Sequence, residues 1–510
     1  MTAQCQTLII GGRVVDPRNG LDDALAVGIT DGRIVHVGPE IVPAERTIDA
    51  AGLVVSPGFI DLHSHAQNQI GHLLQAFDGV TTSLELECGA APFLHSLNAA
   101  ESEGRSLNYG YSASWLLARM IVMEAMSSSD VEDLPTLPLD IFGALQAKQS
   151  WQKPATAQQI DATIDLVAEQ LDQGAIGVGV LLGYAPAVDP LELQALAEMA
   201  AKRSAPLFVH VRYGANVADH STDESVTELI ELCERTGVQI HICHFASSSA
   251  GAGNGPTHLL KAAIERGLPI TTESYPFEFA STVIGADFLS PEILESSDTP
   301  ASTITYLPLN EKVATYSRLA ELRDQDPGGL CLIQYYGPGQ SAGVDELLST
   351  LSFPGAAFAS DAMPLTAVDG ADSITRFPTT LPVPTDFAVH PRSSSCFIRA
   401  LTWLHRDTGA MSLSEVISRS SDIPSRILSR TAPNFESKGH LGVGVDADIV
   451  VFDLSAAEPH VDPFPVGTAQ GVVHLFVNGE QLIEQGQLGA TSKGRPVFAS
   501  SSIAQQGDTE

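Results

Sequence analysis

A chain of 510 residues is long enough for one large barrel with an accessory domain, or for about three average domains. Its 27 Lys+Arg against 61 Asp+Glu leave a formal net charge of −34, a field that repels phosphate backbones and anionic headgroups, so nucleic acid and membrane surfaces rank last as partners. Hydrophobic residues at 44% and charged residues at 17% exclude a disordered or collagen-like chain.

Residues 7–50 alternate in short β-type runs broken by Gly-Arg and Asp-Gly turn signals, which predicts a small sheet domain. A matching β-rich set returns near the C-terminus with an Asn478-Gly479 hairpin signal, and the two ends are expected to pair. Between them, strand-length runs alternate with stretches of helical period: GFIDLHSH, TTSLELEC, NYGYSAS, IGVGVLLG, PLFVHVR, VQIHICH, PITTESY and GAAFASD. Eight βα units in order predict an α/β chain with a (β/α)8 TIM barrel, whose chemistry sits at the C-terminal strand ends. The expected division is 1–56 with 436–510 for the composite sheet domain and 57–435 for the barrel, with an insertion around 276–352. The tail after Arg495 is expected to fray. No segment approaches about 18 uninterrupted apolar residues. The six cysteines, Cys5, Cys88, Cys233, Cys243, Cys331 and Cys396, lie far apart without CxxC spacing. A cytoplasmic protein with reduced thiols is the expectation.

The strongest local signal is PGFIDLHSH, where a strand ends in His63 and His65; residues i and i+2 share a face, so both imidazoles converge. Further strand ends add His210 with Arg212 in FVHVR, His244 in HICHF, and Asp361 in FASD. One barrel mouth gathers such a set around a divalent metal. In SLELEC, Leu84, Leu86 and Cys88 share one face, Glu85 and Glu87 the other. Buried carboxylates need a partner, so strand parity turns Glu87 toward the metal. His241, three residues before His244, falls on the opposite face and is expected to be hydrogen-bonded in the helix layer.

These motifs, with DGVTTSLELECG, ESYPF, SDAMP, HPR and DADIVVFD, resemble the metal-dependent amidohydrolases, and within them the D-aminoacylase or N-acyl-D-amino-acid deacylase group. The resemblance implies a barrel with a small β-sandwich built from both termini, and one or two zinc ions per chain. It also implies a cysteine ligand at the end of strand two, matched by Cys88. A strand-end bulge resets parity, so Cys88 is preferred and Glu87 stays a candidate. The carboxylated lysine of many relatives has no counterpart, because IGVGVLLGYAP lacks lysine. Arg392 in HPR matches the group's substrate-carboxylate arginine. Arg212, Tyr275 and His390 are further candidates for substrate binding. Two departures fall near the substrate: Phe245 and Ala246 follow His244 where the group carries HxK, and Ser394 and Ser395 replace Tyr-Gly after HPR.

The chemistry implied is hydrolysis of a linear amide in a small molecule. A cation with an open position lowers the pKa of its water to about 7, and the hydroxide so generated attacks the carbonyl. Asp361 takes the water's proton and returns it to the leaving amine. The alternatives are a hydrolase of a cyclic amide or dipeptide, and a metal-free barrel kept as a binding module. A homo-oligomer is compatible with the composition.

Overall fold

Eight parallel strands ring the molecule's centre: β1 (Phe59–Asp61), β2 (Val80–Ala90), β3 (Asn108–Ser114), β4 (Val178–Leu181), β5 (Leu207–His210), β6 (Ile240–Ile242), β7 (Ile270–Ser274) and β8 (Ala357–Phe358). The computed structural model describes residues 5–214, 220–336, 341–368, 377–489 and 494–499. The hydrogen-bonded order is β8-β7-β6-β5-β4-β3-β2-β1, the (β/α)8 barrel read from the alternation of runs. Across the seam between β1 and β8 a single bridge, Ser64 to Ala362, is formed just beyond the strand ends.

Period-2 alternation explains both faces of the barrel wall. Val178, Val180, Leu207, Val209, Ile240 and Ile242 point outward and pack under the helices. Leu84, Leu86, Phe208, Cys243, Ala357 and Ala359 point inward and join Ile427, Leu428, Phe435 and Val497 in an apolar plug. Each fully buried Leu or Phe of this kind contributes about 2 kcal/mol. The histidines that face the metal groups stand at or just beyond the C-terminal strand ends.

Helix α1 (Gln69–Phe77) starts at Asn68, whose side chain accepts from the Gly71 N–H at 2.8 Å. Helix α2 (Thr222–Thr236) follows β5 and opens on a capping box between Ser221 and Glu224. Helix α3 (Arg392–Arg399) follows the HPR motif.

The two termini meet as the sequence suggests. Val54–Pro57 pairs antiparallel with Ile449–Phe452 inside a seven-stranded sheet, and a four-stranded sheet from residues 5–49 packs on it through Ile9, Val27, Ile34, Val55, Val451 and Phe476. Asn478 and Gly479 both take positive φ, 52° and 81°, in the turn between strands Val472–Val477 and Glu480–Glu484. Residues 279–334 form a separate four-stranded antiparallel sheet within the region read as an insertion.

The expected fraying after Arg495 does not hold for residues 496–499. The Tyr109 N–H donates to the Arg495 carbonyl at 3.1 Å and the Val497 N–H to the Tyr109 carbonyl at 2.7 Å. Val497 is thereby drawn into the plug. Residues 500–510 of that tail lie outside the described residues.

Candidate metal centre

His63 and His65 stand just beyond β1, with Nε2 atoms 3.2 Å apart. Each ring is oriented from behind: His63 Nδ1 meets Glu273 Oε1 at 2.7 Å, and His65 Nδ1 meets Glu85 Oε2 at 2.6 Å. With both Nδ1–H groups committed to carboxylates, the facing Nε2 atoms present two lone pairs to each other, or two N–H groups if protonated. Both arrangements are repulsive, and a cation or one shared proton between them relieves the contact.

Asp361 Oδ1 completes this group, 3.5 Å from His63 Nε2 and 3.4 Å from His65 Nε2. A tetrahedral zinc with ligands at about 2.1 Å has donor–donor edges of about 3.4 Å. The three separations match that edge, so the donor set fits zinc in chemistry and in spacing.

A second group lies beside the first. His210 Nδ1 and His244 Nε2 are 3.0 Å apart, and Glu87 Oε1 is 3.2 Å from the former and 2.7 Å from the latter. The other oxygen of the same carboxylate, Glu87 Oε2, lies 3.2 Å from His63 Nε2 and 3.6 Å from His65 Nε2. Glu87 therefore stands between the two histidine pairs with one oxygen toward each.

Two local irregularities aim these side chains. The β2/β3 ladder jumps from Glu85↔Tyr111 to Ala90↔Ala113, so residues 86–89 bulge, and Glu87 reaches the site although Leu84 and Leu86 fill the plug. His244 and Asp361 both adopt left-handed backbone, φ 32° and 51°. Such conformations cost a non-glycine residue on the order of 1–3 kcal/mol and concentrate at functional sites.

The His244 turn also breaks strand alternation. His241 accordingly faces the barrel interior rather than the helix layer, with Nε2 3.1 Å from Glu273 Oε2 and Nδ1 2.9 Å from the Thr271 hydroxyl. Glu273 thus bridges His63 and His241, and Cys243 joins it behind His63.

The electrostatics follow from crowding acids and imidazoles out of water. Burial works against charge on His63, but Glu87, Asp361 and Glu273 outweigh it and hold the ring well above its ordinary value. His65 is likewise raised to about 9 by Glu85 and Asp361 against its burial. Glu273, buried but faced by His63 and His241, falls to about 2. Burial would raise Asp361, yet Arg392 and His63 hold it below its usual value. The pocket calls for positive charge beside its carboxylates, whether from protons or from a cation.

Cys88 is buried and lines the same cleft, but its thiol joins neither group, among the described residues. Burial, with Glu85 and Glu87 beside it, pushes that thiol well above its ordinary value.

Arg392 is fully buried. Its Nε donates to the Asp361 carbonyl at 2.6 Å and its Nη2 to Asp361 Oδ1 at 2.9 Å and the Ser281 carbonyl at 3.2 Å. Nη1 has no hydrogen-bond partner, nor do the Tyr275 and Ser281 hydroxyls. The guanidinium stacks on the Tyr275 ring at 4.6 Å. His390 accepts from the Arg392 N–H at 3.0 Å and meets the Phe279 carbonyl at 2.8 Å, so it fixes the start of α3 rather than facing the metal groups.

Arg212 lines the cavity that adjoins the cleft at His210 and His244, but its guanidinium is engaged by protein partners. Strand β5 ends at His210, and beyond it the guanidinium binds Glu228 on α2 at 2.7 Å and the Pro186 carbonyl at 2.7 Å. Glu273 is a site residue that the sequence reading does not single out; it shares strand parity with Tyr275 in ITTESY, a signal able to find it. A cleft lies over the two groups. It is walled by Tyr184, Phe288 and Tyr335 as well as by the metal-facing side chains.

The fold and site define a (β/α)8 barrel with two histidine–carboxylate groups at its C-terminal strand ends, where barrels of this kind carry their chemistry. No family model matches the chain. Among curated proteins it is 26% identical to a D-aminoacylase of Alcaligenes xylosoxydans xylosoxydans over 508 aligned residues, covering 94% of each chain. It is 24% identical to an N-acyl-D-glutamate deacylase of the same organism, covering 95% of each. Among solved structures, the N-acyl-D-glutamate deacylase of Bordetella bronchiseptica, complexed with zinc and a phosphonate mimic of the tetrahedral intermediate, superposes with a TM-score of 0.72 at 21% identity. The match covers 98% of this chain and 100% of that one. The chain is a relative of the amidohydrolases in their D-aminoacylase and N-acyl-D-amino-acid deacylase group.

Proposed function

We propose that the protein is a zinc-dependent hydrolase of linear amide bonds, acting on a small N-acyl amino acid in the manner of its deacylase relatives. The observation that carries this reading is the Glu87 carboxylate, set with one oxygen toward each histidine pair, beside an Asp361 pinned by Arg392. His63, His65 and Asp361 would hold one ion, His210 and His244 a second, with Glu87 shared between them. Cys88 flanks that carboxylate. When bound, zinc supplies the charge that acidifies water and polarises a carbonyl.

Asp361, kept ionised at neutral pH by Arg392 and His63, accepts a proton from water at its carboxylate and returns it to the departing amine nitrogen. Arg392 Nη1 and the Tyr275 and Ser281 hydroxyls are donors without partners. A buried donor left unmade costs about 1–3 kcal/mol, so a substrate carboxylate that accepts from them gains that much. Ala246, standing where the group carries lysine, removes one cation from the substrate's surroundings and favours a less acidic substrate than N-acyl-glutamate.

Six unpaired thiols accord with a cytoplasmic setting, and among the described residues no helix is long and apolar enough to cross a membrane. The test is hydrolysis by zinc-loaded protein of matched N-acyl-D- and N-acyl-L-amino acids, dipeptides and lactams, read as free amine. Release from N-acyl-D-amino acids is expected. Zinc-loaded protein that cleaves no linear amide overturns the reading.

A further inference from the structure

The barrel's only break in strand pairing lies between β1 and β8, and the two most sharply defined ligand positions flank it: His63 on one side and Asp361 on the other. No ladder sets the distance between them. Besides the Ser64–Ala362 bridge, with the His65 N–H donating to the Ala362 carbonyl at 2.7 Å, a buried carboxylate ties the two sides together. Asp61 Oδ1 accepts from the Ser360 N–H at 2.9 Å and from the His63 N–H at 3.2 Å. Asp61 Oδ2 accepts from the Ser360 hydroxyl and from Gln75 Nε2, the latter at 2.5 Å. The Ser360 hydroxyl in turn accepts from the Ala362 N–H at 3.0 Å. The backbone on both sides of the left-handed Asp361 is therefore tied to the strand that ends in His63.

Gln75 reaches the seam from α1 and completes the circuit. Its Oε1 accepts from the Ser83 hydroxyl at 2.7 Å and from the Ser64 hydroxyl at 3.2 Å. Every polar atom of Asp61 and Gln75 has a partner, and Asp61 touches neither the cleft nor solvent. A carboxylate completely out of water is expensive unless it is fully hydrogen-bonded, and its position here is explained by what it joins.

We propose that Asp61 is a positioning residue whose carboxylate reinforces the single-bridge β1/β8 seam and fixes Asp361 against His63. The inference rests on the reading of Asp361 as the proton carrier. Misplacement of about 1 Å at a reacting centre lowers rate by about 100-fold, while substrate held elsewhere in the cleft is little affected.

The test exchanges donor and acceptor. In Asp61→Asn the Nδ2 group faces Gln75 Nε2, donor against donor. In the double variant Asp61→Asn with Gln75→Glu, the bond returns with reversed polarity, and the Ser83 and Ser64 bonds survive. Asp61→Asn is expected to lose about 10- to 100-fold in kcat with KM within about 2-fold, and to shift the visible absorption of the cobalt-loaded protein while retaining the metal. The double variant is expected to recover both. Ser360→Ala, which removes one leg only, is expected to shift the cobalt spectrum in the same direction by less, and serves if Asp61→Asn fails to fold. An unchanged cobalt spectrum in the variant that folds, or a loss that the exchange does not repair, overturns the proposal. The cobalt spectrum is read without substrate, so a wild-type protein that hydrolyses no amide sinks the functional reading and leaves this test standing.

Discussion

Two arginine–carboxylate pairs with fully buried guanidinium groups lie in the barrel's surroundings, and they are built differently. Arg119 pairs with Glu192 beneath the helix layer. Its Nε donates to the Trp151 carbonyl at 2.8 Å and its Nη2 to the Lys153 carbonyl at 2.5 Å, while Trp115 Nε1 donates to the second oxygen of Glu192 at 3.0 Å. Every nitrogen of that guanidinium is used. Arg392 pairs with Asp361 at the rim, yet its Nη1 and the neighbouring Tyr275 hydroxyl lack partners. A pair that serves the fold closes its hydrogen bonds; one that serves a ligand leaves donors open toward the place where the ligand will sit.

That contrast is open to direct attack. The largest effect is expected at Asp361→Asn, which keeps shape and removes the proton acceptor: kcat should fall by roughly 10²–10⁴-fold in zinc-saturated protein. A rate within a few-fold of wild type would remove Asp361 from proton transfer. Next come the arginines themselves. Arg119→Met strands Glu192 without a counter-charge and should cost about 3–5 kcal/mol in denaturant unfolding. Arg392→Met leaves Asp361 its histidine neighbours, so its stability loss should be clearly smaller while kcat/KM collapses. Equal stability losses would erase the distinction.

The smallest effect is in pH. His72 and His390 are buried, and burial together with Arg105 and Arg392 respectively holds each imidazole well below its ordinary value. The unfolded chain then binds protons that the folded one does not. Stability should be complete above about pH 6.5 and decline below it, by about 1 kcal/mol per pH unit for each ring, as pH moves toward the lowered values. His72→Gln should flatten the acid limb of a melting-temperature profile; an unaltered limb would acquit His72.

The barrel was legible because its signals are local. Each strand is a short apolar run, and His63, His65, His210 and Asp361 fall at run ends that any reader can mark. What escaped depends on broken alternation or on distance along the chain. His241 was assigned to the wrong face because His244 swings round a left-handed turn that strand period does not encode. Motif matching prefers Cys88 and strand parity prefers Glu87, and the choice lies in a bulge at residues 86–89 that neither encodes. Arg212 shares parity with His210 on paper, but the strand stops first. The link from Asp61 to Ser360 spans 299 positions and leaves no pattern in either segment.

The most direct test of the account is zinc-edge anomalous diffraction from crystals of the zinc-loaded protein. The expected result is anomalous density within bonding reach of His63, His65 and Asp361, with Glu87 directed at it and any second peak beside His210 and His244. Density bound elsewhere, or a zinc-loaded crystal with no peak at the strand ends, would contradict it.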